Sequence, residues 1–160
     1  MIFKREELQY DIDNYCYIEG SVLPEEASSH NRHMVQDVGQ EGNVDRVTRV
    51  LDAEVAGIKE LLYPYTKSAV VSEQLDDMLR APEVYGIVLN IPEEFSETTL
   101  SLFEKLIHEY LVCKVMEDWM SITNPQKMQI WGIKAEAALE KLRTRVNTRR
   151  GKTTRALRPF

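Results

Sequence analysis

The spacing of apolar residues predicts two long α-helices in the first three quarters of the chain. Over 44–62, apolar side chains recur at steps of three and four and form one stripe, which ends before Pro64. Gly42 and Asn43 precede this stripe, and Asn43 is suited to cap the helix. Over 97–120 the apolar residues cover a wide arc, which is typical of a central and buried helix.

A third long helix is predicted over 126–148. Its apolar residues fall on one stripe, which comprises Met128, Trp131, Ala135, Ala138, Leu139, Leu142 and Val146. Pro125 suits the first position of this helix, because its missing N–H is not needed there. The short connection at 121–125 favours two antiparallel helices that lie side by side.

The remaining segments carry weaker patterns. Aromatic and β-branched residues alternate within 7–23, which predicts a strand or a hairpin arm. Five of the six residues over 84–89 are apolar, which predicts a short buried strand. Short helices are expected at 29–39 and 72–81.

These elements together predict a mainly α fold. We expect a bundle of three to four main helices with a small β-hairpin or strand element and extended terminal arms. The chain of 160 residues has the length of one domain. Its expected parts are an N-terminal arm or strand region over 1–23, a helical body over 24–148 and a basic C-terminal arm over 149–160.

The composition narrows the class of protein. Apolar residues make up 43% and charged residues 29%, which is typical of a globular chain. No apolar stretch approaches the roughly 20 residues that cross a bilayer, and the first residues have no apolar core of a secretory signal. Cys16 and Cys113 lie far apart, so they form neither a disulfide framework nor a zinc pattern. We expect that the protein does not contact a membrane and that it is synthesised in a reducing cytoplasm.

Charge is distributed unevenly along the chain. Residues 1–140 hold all 26 acidic residues and 12 of the 20 basic ones, whereas residues 141–160 hold 8 basic residues and no acid. This asymmetry indicates a basic tail that meets an anionic partner. The partner could be nucleic acid, an acidic patch of another protein or the acidic body of a neighbouring copy.

Candidate catalytic and metal-binding groups are few. His30 and His33 have a spacing that could bind a metal on a helix, but no third ligand accompanies them. Neighbouring carboxylates such as Asp11 and Asp13 lack a partner acid, base or metal, so solvated charge is the better interpretation. His108 fits a satisfied core or interface histidine. The common nucleotide-binding and hydrolase motifs are missing. We expect no catalytic residue, no cofactor and no metal, and therefore not an enzyme.

Large rings and basic residues are the candidate partner contacts, because aromatic and arginine side chains are frequent anchors of protein interfaces. The candidates are Tyr63, Tyr65, Trp119, Trp131, Arg149, Arg150, Lys152, Arg155, Arg158 and Phe160.

Four short runs resemble a group of phage and prophage structural proteins from gut Bacteroidales. They are GNVDRVTRVL at 42–51, LYPYTK at 62–67, DWMSITNP at 118–125 and RALRPF at 155–160. The resemblance covers most of residues 30–160. The order of elements is also similar to that of the head–tail connector (adaptor) proteins of tailed phages.

This resemblance implies a structural role in the virion. Connector proteins form a ring, commonly of twelve copies, which joins the portal protein to tail or further neck proteins around the DNA channel. The expected partners are therefore other copies of the chain, the portal and tail proteins, together with DNA in the channel. The expected location is the neck of the virion, after synthesis in the host bacterium. The alternative is a small DNA-binding or regulatory protein that uses the basic tail. Whether the tail meets DNA or an acidic protein groove stays open, although the acidic body favours the groove.

Overall fold

The computed structural model describes residues 1–23, 29–40, 42–62, 82–90 and 97–148. Its elements follow in the order β1 (Ile2–Lys4), α1 (Arg5–Ser21), α2 (Ser29–Gln36) with a 3₁₀ turn (Asp37–Gly39), α3 (Val44–Leu61), β2 (Val84–Gly86), α4 (Glu97–Thr123) and α5 (Pro125–Thr148). The predicted class, a mainly helical bundle with a small β element, is confirmed. The predicted helix at 72–81 lies outside the described residues.

Helix α1 corrects the prediction of a strand or hairpin arm within 7–23. Its buried residues follow steps of four: Leu8, Ile12, Cys16 and Gly20. Tyr10 and Tyr17 lie on the exposed side of the helix, so the alternation that suggested a strand came from aromatic side chains in solvent. The helix packs against α2 and α4, and the first 23 residues therefore belong to the bundle instead of extending from it as an arm.

Helix α3 confirms the stripe predicted over 44–62, with Val47, Leu51, Val55 and Ile58 buried. Asn43 stands at the N-cap position, but its side chain makes no capping bond to the helix. Its Nδ2 instead donates to the carbonyl oxygen of Asp37 at 2.8 Å, which ties the start of α3 to the preceding turn.

Helices α4 and α5 form the centre of the bundle. They are joined only by Asn124, so they run antiparallel and pack along their length. Twelve residues of α4 are buried on nearly all sides, as the wide apolar arc predicts. The apolar stripe of α5 is also confirmed: Trp131, Ala135, Ala138, Leu139, Leu142 and Val146 are buried and Met128 packs against the core.

The two strands pair antiparallel across one end of the bundle, with Phe3 opposite Tyr85. The amino group of Met1 donates to the carbonyl oxygen of Ile87 at 2.9 Å, over a separation of 86 positions. Phe3, Tyr85 and Ile87 are buried, whereas Val84 and Val88 are exposed. The strand predicted over 84–89 is present but shorter, at Val84–Gly86, and its residues alternate between buried and exposed, so it is half-buried where a buried strand was predicted.

Candidate interaction surfaces

Both candidate tryptophans lie in the core. The indole N–H of Trp119 donates to the carbonyl oxygen of Val35 at 2.8 Å and thereby joins α4 to α2. The ring of Trp131 meets the ring of Tyr15 edge-on, with centroids 5.1 Å apart, and Lys134 Nζ lies 3.9 Å from its centroid. Since both tryptophans are buried inside a single chain, their rings contribute to folding and offer little surface to a partner.

The other candidate contact residues lie outside the described residues. They are Tyr63, Tyr65, Arg149, Arg150, Lys152, Arg155, Arg158 and Phe160. Their role as partner contacts therefore remains a prediction from the sequence.

Exposed apolar side chains that the sequence prediction missed lie on α1 and α5. The salt bridge between Glu19 and Lys127, at 3.2 Å, and the Tyr15–Trp131 ring contact connect the two helices. Two exposed apolar pairs lie on these elements: Ile18 on α1 with Val22 directly after it, and Ile130 with Ile133 on α5. Val22 is 67% exposed and Ile133 is 70% exposed.

The sequence does indicate part of this surface. Ile130 and Ile133 lie three positions apart, which is a helical spacing, and they are off the buried stripe of α5. Isolated exposed apolar side chains are common on folded proteins, whereas pairs at helical spacing form small apolar patches that a partner can cover. We call Ile18, Val22, Ile130 and Ile133 the apolar seam.

Polar contacts between helices fix the geometry on which these surfaces depend. The Tyr110 hydroxyl donates to the Glu54 carboxylate, which links α4 to α3. Burial, followed by the bond to Glu54, raises the pKa of Tyr110. His108 Nε2 lies 2.7 Å from Asp11 Oδ2, so this histidine is satisfied by a carboxylate on α1, in agreement with the sequence interpretation. These groups hold helices together.

The cysteines are buried and weakly acidic. Cys16 Sγ lies 3.5 Å from Met116 Sδ in the core, and burial raises the pKa of its thiol to about 12. Burial likewise raises the pKa of the Cys113 thiol to about 11. Because the thiolate is the nucleophilic form, both side chains act as small apolar residues.

Within the part of the chain that the structure describes, no group of three or more histidine, cysteine or acidic side chains is arranged to hold a metal ion. In the same residues, no helix combines the length and the apolar character needed to span a membrane. Comparisons of the chain with protein-family models, with curated proteins and with solved structures found no match.

Proposed function

We propose that this chain is a non-enzymatic structural subunit of a tailed-phage virion, a head–tail connector that assembles with other copies into a neck ring between portal and tail. The apolar seam carries this proposal, because it exposes pairs of β-branched side chains at the end of α1 and on α5. Burying such side chains against a neighbouring copy is favourable by about 25 cal/mol per Å² of apolar surface.

Two features of the sequence support the same proposal. The described acidic body and the basic segment 149–160 have opposite charges, and such surfaces allow identical subunits to associate head to tail. The similarity of four short runs to phage structural proteins supports a setting in the neck of the virion, around the DNA channel. In this setting the chain is made in the host bacterium and contacts the portal and tail proteins.

Native mass spectrometry of the purified chain, alone and mixed with the portal protein of its phage, tests the proposal. We expect a ring-sized species, formed either by the chain alone or on the portal. A chain that stays monomeric and does not bind the portal protein would contradict a connector role.

Two substitutions probe the apolar seam directly. Ile130→Ser combined with Ile133→Ser removes two exposed side chains from α5, so we expect loss of the assembled species with an unchanged unfolding midpoint. The matched control is Ile2→Ser with Val88→Ser, which removes two exposed apolar side chains at the strand end of the bundle. Equal loss of assembly in both pairs would show that the seam is not the contact.

The eight basic residues of 141–160 favour DNA binding as the second candidate function. A tail-neutral variant, in which the five basic residues of 149–160 are replaced by glutamine, distinguishes DNA binding from the connector role. A DNA-binding protein would lose a steeply salt-dependent affinity for duplex DNA in this variant. A connector whose tail contacts protein would lose assembly instead.

A further inference from the structure

Helix α1 presents a stripe of acidic and aromatic side chains, of which Asp13 is half-buried and the other three are exposed. Glu6, Tyr10, Asp13 and Tyr17 follow one another at steps of four, three and four, so they share one side of the helix. Tyr10 is 70% exposed and Tyr17 is 64% exposed. We call these four residues the acidic tyrosine stripe.

A groove runs beside the first part of this stripe. Its opposite wall is formed by Pro82, Glu83 and Val84 at the start of β2, and its volume is about 660 Å³. Glu83 adds a third carboxylate to those of Glu6 and Asp13, so the acidic side chains of the lining outnumber its two cations, Lys4 and Arg5. Glu6 and Glu83 are exposed and form no ion pair with the described residues, so both carboxylates are available to an incoming cation.

Two buried polar atoms of the groove residues lack partners within the described part of the chain. Gln9 Nε2 donates to Asp13 Oδ1 at 2.8 Å, but Gln9 Oε1 is buried and receives no hydrogen bond there. Arg5 Nε is buried and donates none. Both atoms are closed to solvent, so the contacts that the groove offers to a ligand come from its exposed carboxylates and tyrosine rings, which suit a cationic peptide.

The chain itself contains a segment of that chemistry. Residues 149–160 carry five basic side chains and no acidic one: Arg149, Arg150, Lys152, Arg155 and Arg158. Guanidinium groups pair with carboxylates through two parallel hydrogen bonds and also stack on aromatic rings. In the acidic tyrosine stripe, carboxylates and aromatic rings alternate. The stripe and the segment 149–160 are therefore complementary in charge and in the contacts that their side chains can form.

The two contacts between α1 and α5 show where α5 ends. The Tyr15–Trp131 and Glu19–Lys127 contacts place α5 against the side of α1 that faces away from the stripe. The two helices run antiparallel at these contacts, so α5 ends at the end of the bundle where α1 begins. This packing allows the same chain or a neighbouring copy to supply the segment 149–160, and the proposed ring favours a neighbouring copy.

We infer that the acidic tyrosine stripe and its groove receive the basic segment 149–160 of a neighbouring copy. This inference rests on the proposed function, because a contact between two different surfaces of identical subunits is the kind that closes a ring.

Peptide binding tests the docking site without any need for a ring. A synthetic peptide of residues 149–160 is titrated into the tail-neutral variant and binding is followed by calorimetry at low salt. We expect saturable binding that weakens by at least about tenfold in a stripe-reversed variant carrying Glu6→Lys and Glu83→Lys. The control, Glu104→Lys with Glu140→Lys, changes the net charge equally on exposed positions of α4 and α5 and should change affinity by less than about twofold. Equal weakening in both variants, or no binding, would overturn the inference.

Mixing of full-length variants then tests which copy is bound. The stripe-reversed variant keeps a basic segment and the tail-neutral variant keeps the stripe, so together they should form a one-to-one complex by native mass. A mixture that stays monomeric although the peptide binds would mean that the segment docks on its own chain, which contradicts the inference. If wild type assembles and the stripe-reversed variant assembles equally well, the connector proposal stands and the docking site is wrong.

Discussion

Replacement of Trp119 by phenylalanine measures how much this tryptophan contributes to the fold. The carbonyl of Val35 is among the last four of α2, which have no amide partner within their own helix. The indole N–H of Trp119 satisfies that carbonyl at 2.8 Å in the core. Trp119→Phe keeps an aromatic ring but removes the donor, so a buried carbonyl is left without its partner.

The expected cost can be derived from these contacts. An unsatisfied buried carbonyl costs about 1–3 kcal/mol, and the smaller ring adds a cavity term. Trp131→Phe is the matched control, because Trp131 is also buried but its indole N–H has no acceptor among the described residues. Trp131→Phe reduces the volume of the ring as Trp119→Phe does, but it removes no hydrogen bond. We therefore expect Trp119→Phe to lower the free energy of unfolding by about 1–2 kcal/mol more than Trp131→Phe.

Urea unfolding monitored by far-ultraviolet circular dichroism gives both free energies and does not depend on tryptophan fluorescence. The reasoning fails if Trp131→Phe is the more destabilising change. It also fails if Trp119→Phe unfolds like the wild type but alters the native mass, since the ring would then contribute to a partner contact instead of the core.

Three further results are expected. Arg46 and Asp118 form a two-bond ion pair, but they are 47% and 32% exposed, so Arg46→Ala should cost about 0.5 kcal/mol in urea unfolding, and the cost should vanish in high salt. A Cβ at Gly57 would meet no atom within 4 Å, so Gly57→Ala should stabilise α3 by about 0.5–1 kcal/mol; a thermal melt that does not rise would contradict this. The raised pKa of Cys16, about 12 against 9.0, implies stability that is present below pH 9 and is lost as the pH rises toward 12. Between pH 8 and pH 11 the free energy of unfolding should therefore fall by roughly 2–3 kcal/mol less in Cys16→Ala than in the wild type, and parallel pH profiles would refute the assignment.

Residue type alone was a poor guide to the interaction surfaces. Trp119 and Trp131 were candidate anchors because large rings are frequent at interfaces, yet each also stood on an apolar stripe, and the stripe decided its burial. The exposed apolar positions include β-branched residues such as Ile133 as well as Tyr10 and Tyr17. The acidic residues of α1 were visible in the sequence, but their alignment with Tyr10 and Tyr17 requires a helix where alternation suggested a strand.

The sequence by itself determined the three long helices α3, α4 and α5, because their apolar residues repeat with the helical period and proline or asparagine marks their boundaries. Only the tertiary structure decided the state of Arg5–Ser21, since local alternation could not show that Tyr10 and Tyr17 are in solvent while Leu8 and Ile12 are buried. It also decided the pairing of β1 with β2. That pairing brings Met1 to Ile87 and depends on packing between distant segments, which no local pattern encodes.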